Sequence, residues 1–96
     1  MIEVDTLFGL KTDERQKVLK VLSRNGVSSI LFSLVRRPHR FSQLMFETKL
    51  NPGILDRHLK ALMQLKIVEK NSDSYELTDT GRRLVDILNQ LFDVLD

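Results

Sequence analysis

The sequence of 96 residues has no cysteine and no tryptophan, two prolines, four glycines and one tyrosine. Without cysteine there can be no disulfide, no thiolate metal ligand and no cysteine nucleophile. No run of about 18 apolar residues occurs, so no membrane span is expected. Residues 1–10 carry Glu3 and Asp5 and no basic residue, and so do not read as a signal peptide. The four glycines are scattered, which excludes a glycine-rich phosphate loop. The serines have no base and orienting acid in motif context, and two histidines with no nearby acid pair are a poor ligand set. No catalysis, no metal and no other cofactor is therefore expected.

What remains is a globular composition, 42% hydrophobic and 29% charged. The length suits one domain, residues 1–96, with a modest core that a partner surface could supplement. The formal charge of +2 is unevenly spread. Residues 36–70 hold eight Lys/Arg against three acids, residues 1–35 five against four, and residues 71–96 two against six. The basic charge thus sits in the middle third and the tail is acidic. Such a basic stripe is the electrostatic footprint of a polyanion site, although a plain solvated surface has the same composition.

Local signals divide the chain into short elements. Thr12 is a candidate cap for a helix beginning at Asp13 and Glu14, with Val18, Leu19, Val21 and Leu22 on its apolar face and Asn25-Gly26 as its stop. A second helix, Val27–Arg36, carries Ile30, Leu31, Leu34 and Val35 at helical spacing. Arg40-Phe41 reads as extended, and Ser42 as the cap of a two-turn helix ending at Thr48. Lys49-Leu50-Asn51 forms a three-residue turn. Asn51 then caps a helix whose first residue, Pro52, has no N–H to leave unpaired, and which runs to about residue 65. Ile67 to Lys70 and Tyr75 to Leu77 read as a tight hairpin, and Thr78 as the cap of a last helix.

Two helices joined by a three-residue turn are the frame of a helix-turn-helix, whose second helix enters the major groove. The helix from Asn51 has a buried stripe, Leu55, Leu59 and Leu62, and an opposite face of Gly53, Arg57, Lys60 and Gln64. At about 100° per residue Arg57 lies roughly 160° from Leu55, so the two cannot share a face.

Residues 30–84 resemble winged helix-turn-helix regulators of the HxlR, ArsR and MarR type. The resemblance is carried by Arg40-Phe41-Ser42-Gln43-Leu44, by Ile54 to Leu62, by Ile67-Val68-Glu69-Lys70 and by Tyr75 to Gly81. It implies a mainly helical fold with a small β-hairpin wing: a three-helix core plus N- and C-terminal helices. Residues 26–77 would form the DNA-binding core, with 12–25 and 78–96 as flanking helices that would make the dimer interface. The implied function is a sequence-specific DNA-binding transcriptional regulator acting as a homodimer, cytoplasmic and nucleoid-associated, reading double-stranded DNA with the helix at 51–65 in the major groove. HxlR-type regulators usually carry an N-terminal cysteine and ArsR-type sensors a metal site. This chain has no cysteine, which excludes a thiol or thiolate-metal switch, and the sequence names no small-molecule effector.

The expected DNA-facing residues follow. Arg57 and Lys60 are the main readers or phosphate anchors, with Asn51, Gly53, Ile54 and Asp56 on the same helix. Asp56 is expected to pair with Lys60 one turn on, rather than to accept from a cytosine amine. Arg36, Arg37 and Arg40 either contact phosphate or complement a helix end. Ser42, Gln43 and Lys49 position the motif, and Lys70, Asn71, Ser72 and Ser74 supply the wing. His58 is expected to pack beneath its helix and His39 to lie exposed in a basic loop. One of Met45 and Phe46 is surplus to the core and is expected to pack under the N-terminal segment.

The last helix is apolar on most sides. Leu84, Leu88, Leu91 and Leu95 are spaced 4-3-4 like a coiled-coil seam, and Ile87 and Phe92 widen it. A homodimer interface is expected there, together with packing against the N-terminal helix. Two other readings stay open: an architectural DNA binder without a preferred site, and a winged-helix protein-interaction module without DNA contact.

Overall fold

The computed structural model describes residues 12–96; the possible extended segment at residues 1–11 lies outside them. In chain order the elements are α1 (Thr12–Leu22), α2 (Val27–Arg36), β1 (His39–Arg40), α3 (Phe41–Thr48), α4 (Pro52–Gln64), β2 (Val68–Asn71), β3 (Ser74–Leu77) and α5 (Asp79–Leu95). The wing is a three-stranded antiparallel sheet in the order β1-β3-β2. Val68 pairs with Leu77 and Asn71 with Ser74, which leaves Ser72 and Asp73 as a two-residue turn. The first strand adds His39 opposite Tyr75 and Arg40 opposite Ser74. No single helix is long and apolar enough to cross a membrane among the described residues. The α1–α2 pair reaches that composition only together, bent by 77°, and α2 owes its apolarity to its place in the core.

Helix α2 is the centre of the molecule. Val27, Ile30 and Leu31 are fully buried and Leu34 nearly so, and they meet Leu44 of α3 and Leu55, Leu59 and Leu62 of α4 in one cluster. Ile67, Val68, Tyr75 and Leu77 close that cluster from the wing side, and Val85 from α5. Helix periodicity overstated two faces. Leu19 is 66% exposed and Val35 45% exposed; each lies just beyond the arc that its helix turns inward.

Helix ends follow their caps. The Asn51 Oδ1 accepts from the Ile54 N–H at 2.9 Å, and the Thr78 hydroxyl accepts from the Gly81 N–H at 3.0 Å. Thr78 Oγ1 also donates to the Lys66 carbonyl at 2.6 Å, so the start of α5 is tied to the link between α4 and β2. Ser42 does not cap α3. Arg40 is the N-cap residue, and its N–H donates at 2.8 Å to the side-chain carbonyl of Gln43. The strand runs straight into the helix, placing Ser42 in the first turn instead.

Two glycines are required by space. Gly26 has φ +94, and a Cβ there would lie 2.7 Å from Leu50 Cδ2. At Gly81 an added Cβ would overlap the backbone carbonyl oxygen of Ile67. Flexible Leu50 can yield and a carbonyl cannot. Gly26→Ala is therefore expected to lower stability by about 1–2 kcal/mol through its left-handed backbone. Gly81→Ala should cost more, since α5 must move off the wing. Thermal unfolding of both variants checks the order; equal melting points would contradict it.

Candidate nucleic-acid interface

The turn between α3 and α4 is closed by Lys49, which adopts φ 62 and donates its N–H to the Met45 carbonyl at 3.0 Å. From Asn51 onward α4 has two unlike sides. Leu55, Leu59 and Leu62 are at most 1% exposed, while Gly53, Arg57, Lys60 and Gln64 all face solvent. His58 is buried as expected, and its Nε2 donates to the Asn25 carbonyl at 2.9 Å. Gly53 has nothing near its missing Cβ except Asn51 Oδ1 at 3.6 Å. The protein's own packing therefore does not require a glycine there.

The fold pairs much of the positive charge with carboxylates. Asp56 and Lys60 form an ion pair at 2.9 Å, and the Asp56 carboxylate raises the Lys60 pKa above its ordinary value, through a hydrogen bond first and its charge second. Arg40 lies 3.4 Å from Asp73 in the wing turn. Arg36 pairs with Glu47. Arg57 and Arg37 have no carboxylate partner among the described residues. Two lysines lie over aromatic rings: Lys49 above Phe46 at 4.5 Å and Lys70 above Tyr75 at 5.3 Å.

The remaining expected residues reach the surface with some groups already engaged. Ser42 and Gln43 are exposed at the start of α3, but the Gln43 carbonyl is held by Arg40, leaving its amide to donate. Asn51 is exposed, with its carbonyl used as a cap. Ile54 is 38% exposed at the leading end of α4. In the wing, the Asn71 amide donates to Glu76. Ser72 takes φ 59 at the turn, and Ser74 is half-buried in the sheet.

His39 is not the exposed loop residue that its basic neighbours suggested. It is fully buried, with Nδ1 2.8 Å from the Arg37 carbonyl and Nε2 2.7 Å from a Glu47 carboxylate oxygen. Strand alternation explains the difference: His39 points inward and Arg40 outward along β1. This cluster joins the end of α2, β1 and α3. The hydrogen bond from His39 holds the Glu47 carboxyl below the usual carboxylate range, with smaller contributions from Ser33 and from the charges of His39 and Arg36 against a desolvation that acts the other way. Phe46, 74% exposed, is the surplus apolar residue of α3; the N-terminal segment expected to cover it lies outside the described residues.

The apolar surface of α5 is divided. Val85 is buried, and Leu84 and Leu88 pack partly against the core. Phe92 stacks obliquely on Phe32 of α2 with ring centroids 6.3 Å apart, so α5 lies against α2 and the wing. Ile87, Leu91 and Leu95 are 59%, 49% and 73% exposed. Sequence reasoning missed the roles of His39 and Glu47, and also the α1–α2 loop beside α4. Only the inward step of a two-residue strand could have pointed to the first.

A helix with one leucine face and one basic face, entered through a tight turn and followed by a hairpin, defines the winged helix-turn-helix class. The model for the bacterial regulatory protein arsR family matches residues 24–70. An uncharacterized HTH-type transcriptional regulator of Methanocaldococcus jannaschii is 32% identical in an alignment 89 residues long that covers 81% of this chain and 83% of the relative. The chain belongs to the ArsR family of winged helix-turn-helix transcriptional regulators and is not an enzyme. Among solved structures, quinone-bound YodB from B. subtilis has a TM-score of 0.79 at 24% identity, covering 88% of this chain and 97% of that one. The homodimeric winged helix-turn-helix DNA-binding domain of a possible ArsR-family regulator from Mycobacterium bovis has a TM-score of 0.71 at 21% identity, covering 84% and 80%. Among the described residues no three His, Asp or Glu side chains are grouped to hold a metal ion.

Ionised Glu47 stabilises the fold fully above its ordinary pKa of 4.5, and that contribution is lost as the pH falls through the lowered folded value. The melting temperature of Glu47→Gln should therefore trail the wild type near neutrality and converge on it in acid. A gap that stayed constant across the titration would refute the linkage.

Proposed function

We propose that the chain acts as a homodimer that recognises a specific double-stranded DNA site, with α4 in the major groove of each half-site. The observation that carries this reading is the two-sidedness of α4: burying its leucine stripe presents Gly53, Arg57, Lys60 and Gln64 outward. Residues 26–77 form the DNA-binding core of a single domain, and residues 12–25 and 78–96 its flanks. Arg57, with no carboxylate partner among the described residues, is the principal reader. Lys60, held by Asp56, is a secondary anchor. Arg37, Lys49, Ser42 and Gln43 place phosphates along α3, and Lys70 to Ser74 follow the backbone from the wing. Arg36 and Arg40 have carboxylate partners and contribute less. Such a regulator works in the cytoplasm, at the nucleoid.

The open side of α5 supports the dimer. Ile87, Leu91 and Val94 follow one another at i, i+4 and i+7 and are 59%, 49% and 81% exposed, with Leu95 beside them. An apolar helical stripe of this kind marks a protein contact. The M. bovis domain, itself homodimeric, is consistent with that role. Two copies would then read half-sites about 10–10.5 bp apart.

Arg57→Ala is expected to weaken binding to the preferred duplex by about 1–3 kcal/mol and to relax one base position, as for an arginine on guanine. A selection from random duplexes at fixed salt supplies that duplex; failure to enrich any motif would favour an architectural binder. Leu91→Asp is expected to shift the sedimentation mass from dimer to monomer while the melting curve stays cooperative. An unchanged mass would remove α5 from the interface.

A further inference from the structure

The loop between α1 and α2 is clamped to the recognition helix. Leu50, in the turn before α4, packs on Gly26, and His58 of α4 donates to the Asn25 carbonyl. Between loop and helix lies an open recess of about 420 Å³, lined by Arg24, Asn25, Leu50, Ile54, Arg57 and His58. Its two arginines have no carboxylate partner among the described residues. Gly26, the N-cap residue of α2, has no side chain to cap the first turn, and the Val27 N–H donates instead to the Arg24 carbonyl at 3.1 Å. His58, 6% exposed, closes the recess from below, with its Nδ1 buried and unpartnered.

The recess and the wing lie on opposite flanks of α4. Ile54 and Arg57 line the recess, whereas Met63 lines a groove with Lys66, Val68 and Glu69 at the wing. At about 100° per residue Ile54 and Met63 point to opposite sides of the helix. An α-helix with its side chains is about 10–12 Å across, and the major groove is about 12 Å wide. A helix lying in that groove therefore has one phosphate backbone along each flank.

We propose that Arg24, at the mouth of this recess, forms a phosphate seat for the DNA strand opposite the one followed by the wing. This rests on the DNA-binding reading above and adds to it a contact outside the helix-turn-helix and the wing. The Gly26–Leu50 packing and the His58–Asn25 hydrogen bond hold Arg24 at that flank before DNA arrives. Arg24 makes a backbone contact and carries no sequence preference.

The test is Arg24→Ala in the full chain, with Arg24→Lys as the charge-preserving control and a melting curve for each. Binding to the selected duplex is measured at about 50 and 200 mM salt. Loss of one phosphate contact lowers the slope of log K against log salt by about 0.9, so the wild-type advantage should shrink about threefold between those salts. Arg24→Lys should keep the wild-type slope, and the motif enriched by Arg24→Ala should be unchanged. An unchanged affinity and slope in Arg24→Ala, with wild-type DNA binding intact, would overturn this proposal alone. A changed motif at constant slope would do the same, since Arg24 would then read bases. Inorganic phosphate bound by the free protein, with DNA affinity indifferent to Arg24→Ala, would make the recess a small-anion site and also overturn it. Wild-type protein that binds no duplex would remove this proposal and the DNA-binding reading together.

Discussion

The structure depends on one burial: the leucines of α4 set against α2. Leu55, Leu59 and Leu62 are almost completely removed from water against Ile30 and Leu31. At about 25 cal/mol per Å² of apolar surface, a fully buried leucine contributes roughly 1.5–3 kcal/mol. Turning α4 over would expose three of them and bury Arg57 together with the Asp56–Lys60 ion pair. The orientation that satisfies the core is thus the one that presents cations to a polyanion. The Asn51 cap and Pro52 fix where the helix begins, so the same residues always lead.

Around that contact the fold distributes charge selectively. Carboxylates are brought against cations: Glu47 to Arg36, Asp73 to Arg40, Asp56 to Lys60. Exposed pairs of this sort add little to stability. Their larger effect is on the field, because a paired cation offers less to a phosphate than a free one. Arg57 stands at the centre of what remains. The acidic tail lies apart from that basic face: Asp86, Asp93 and Asp96 are exposed on or beside α5, the helix that also leaves Ile87, Leu91 and Leu95 open to solvent.

Much of this could be read from residue order. The bounds of α2, the turn at residues 49–51 and the caps at Asn51 and Thr78 follow from proline, glycine and hydroxyl or amide side chains acting over three or four residues. The burial of Leu55, Leu59 and Leu62 follows from period alone, and so does the Asp56–Lys60 pair, which is one helical turn long. His39 was misjudged because a two-residue strand is too short to show alternation, and its partner Glu47 is eight residues away on another element. Ser42 was misjudged because a strand that enters a helix directly moves the cap upstream to Arg40. Arg24 was passed over because its neighbours in sequence say nothing of α4.

The two-faced helix from Asn51 was therefore a property of the sequence itself, since a spacing of 3.6 residues separates leucine from arginine wherever that helix lies. Its surroundings were decided only by tertiary structure. Which cations are neutralised, the burial of His39, and which loop stands beside Arg57 all depend on contacts between residues far apart in the chain. Such contacts form only once the core has fixed the elements in place, and no local period or cap encodes them.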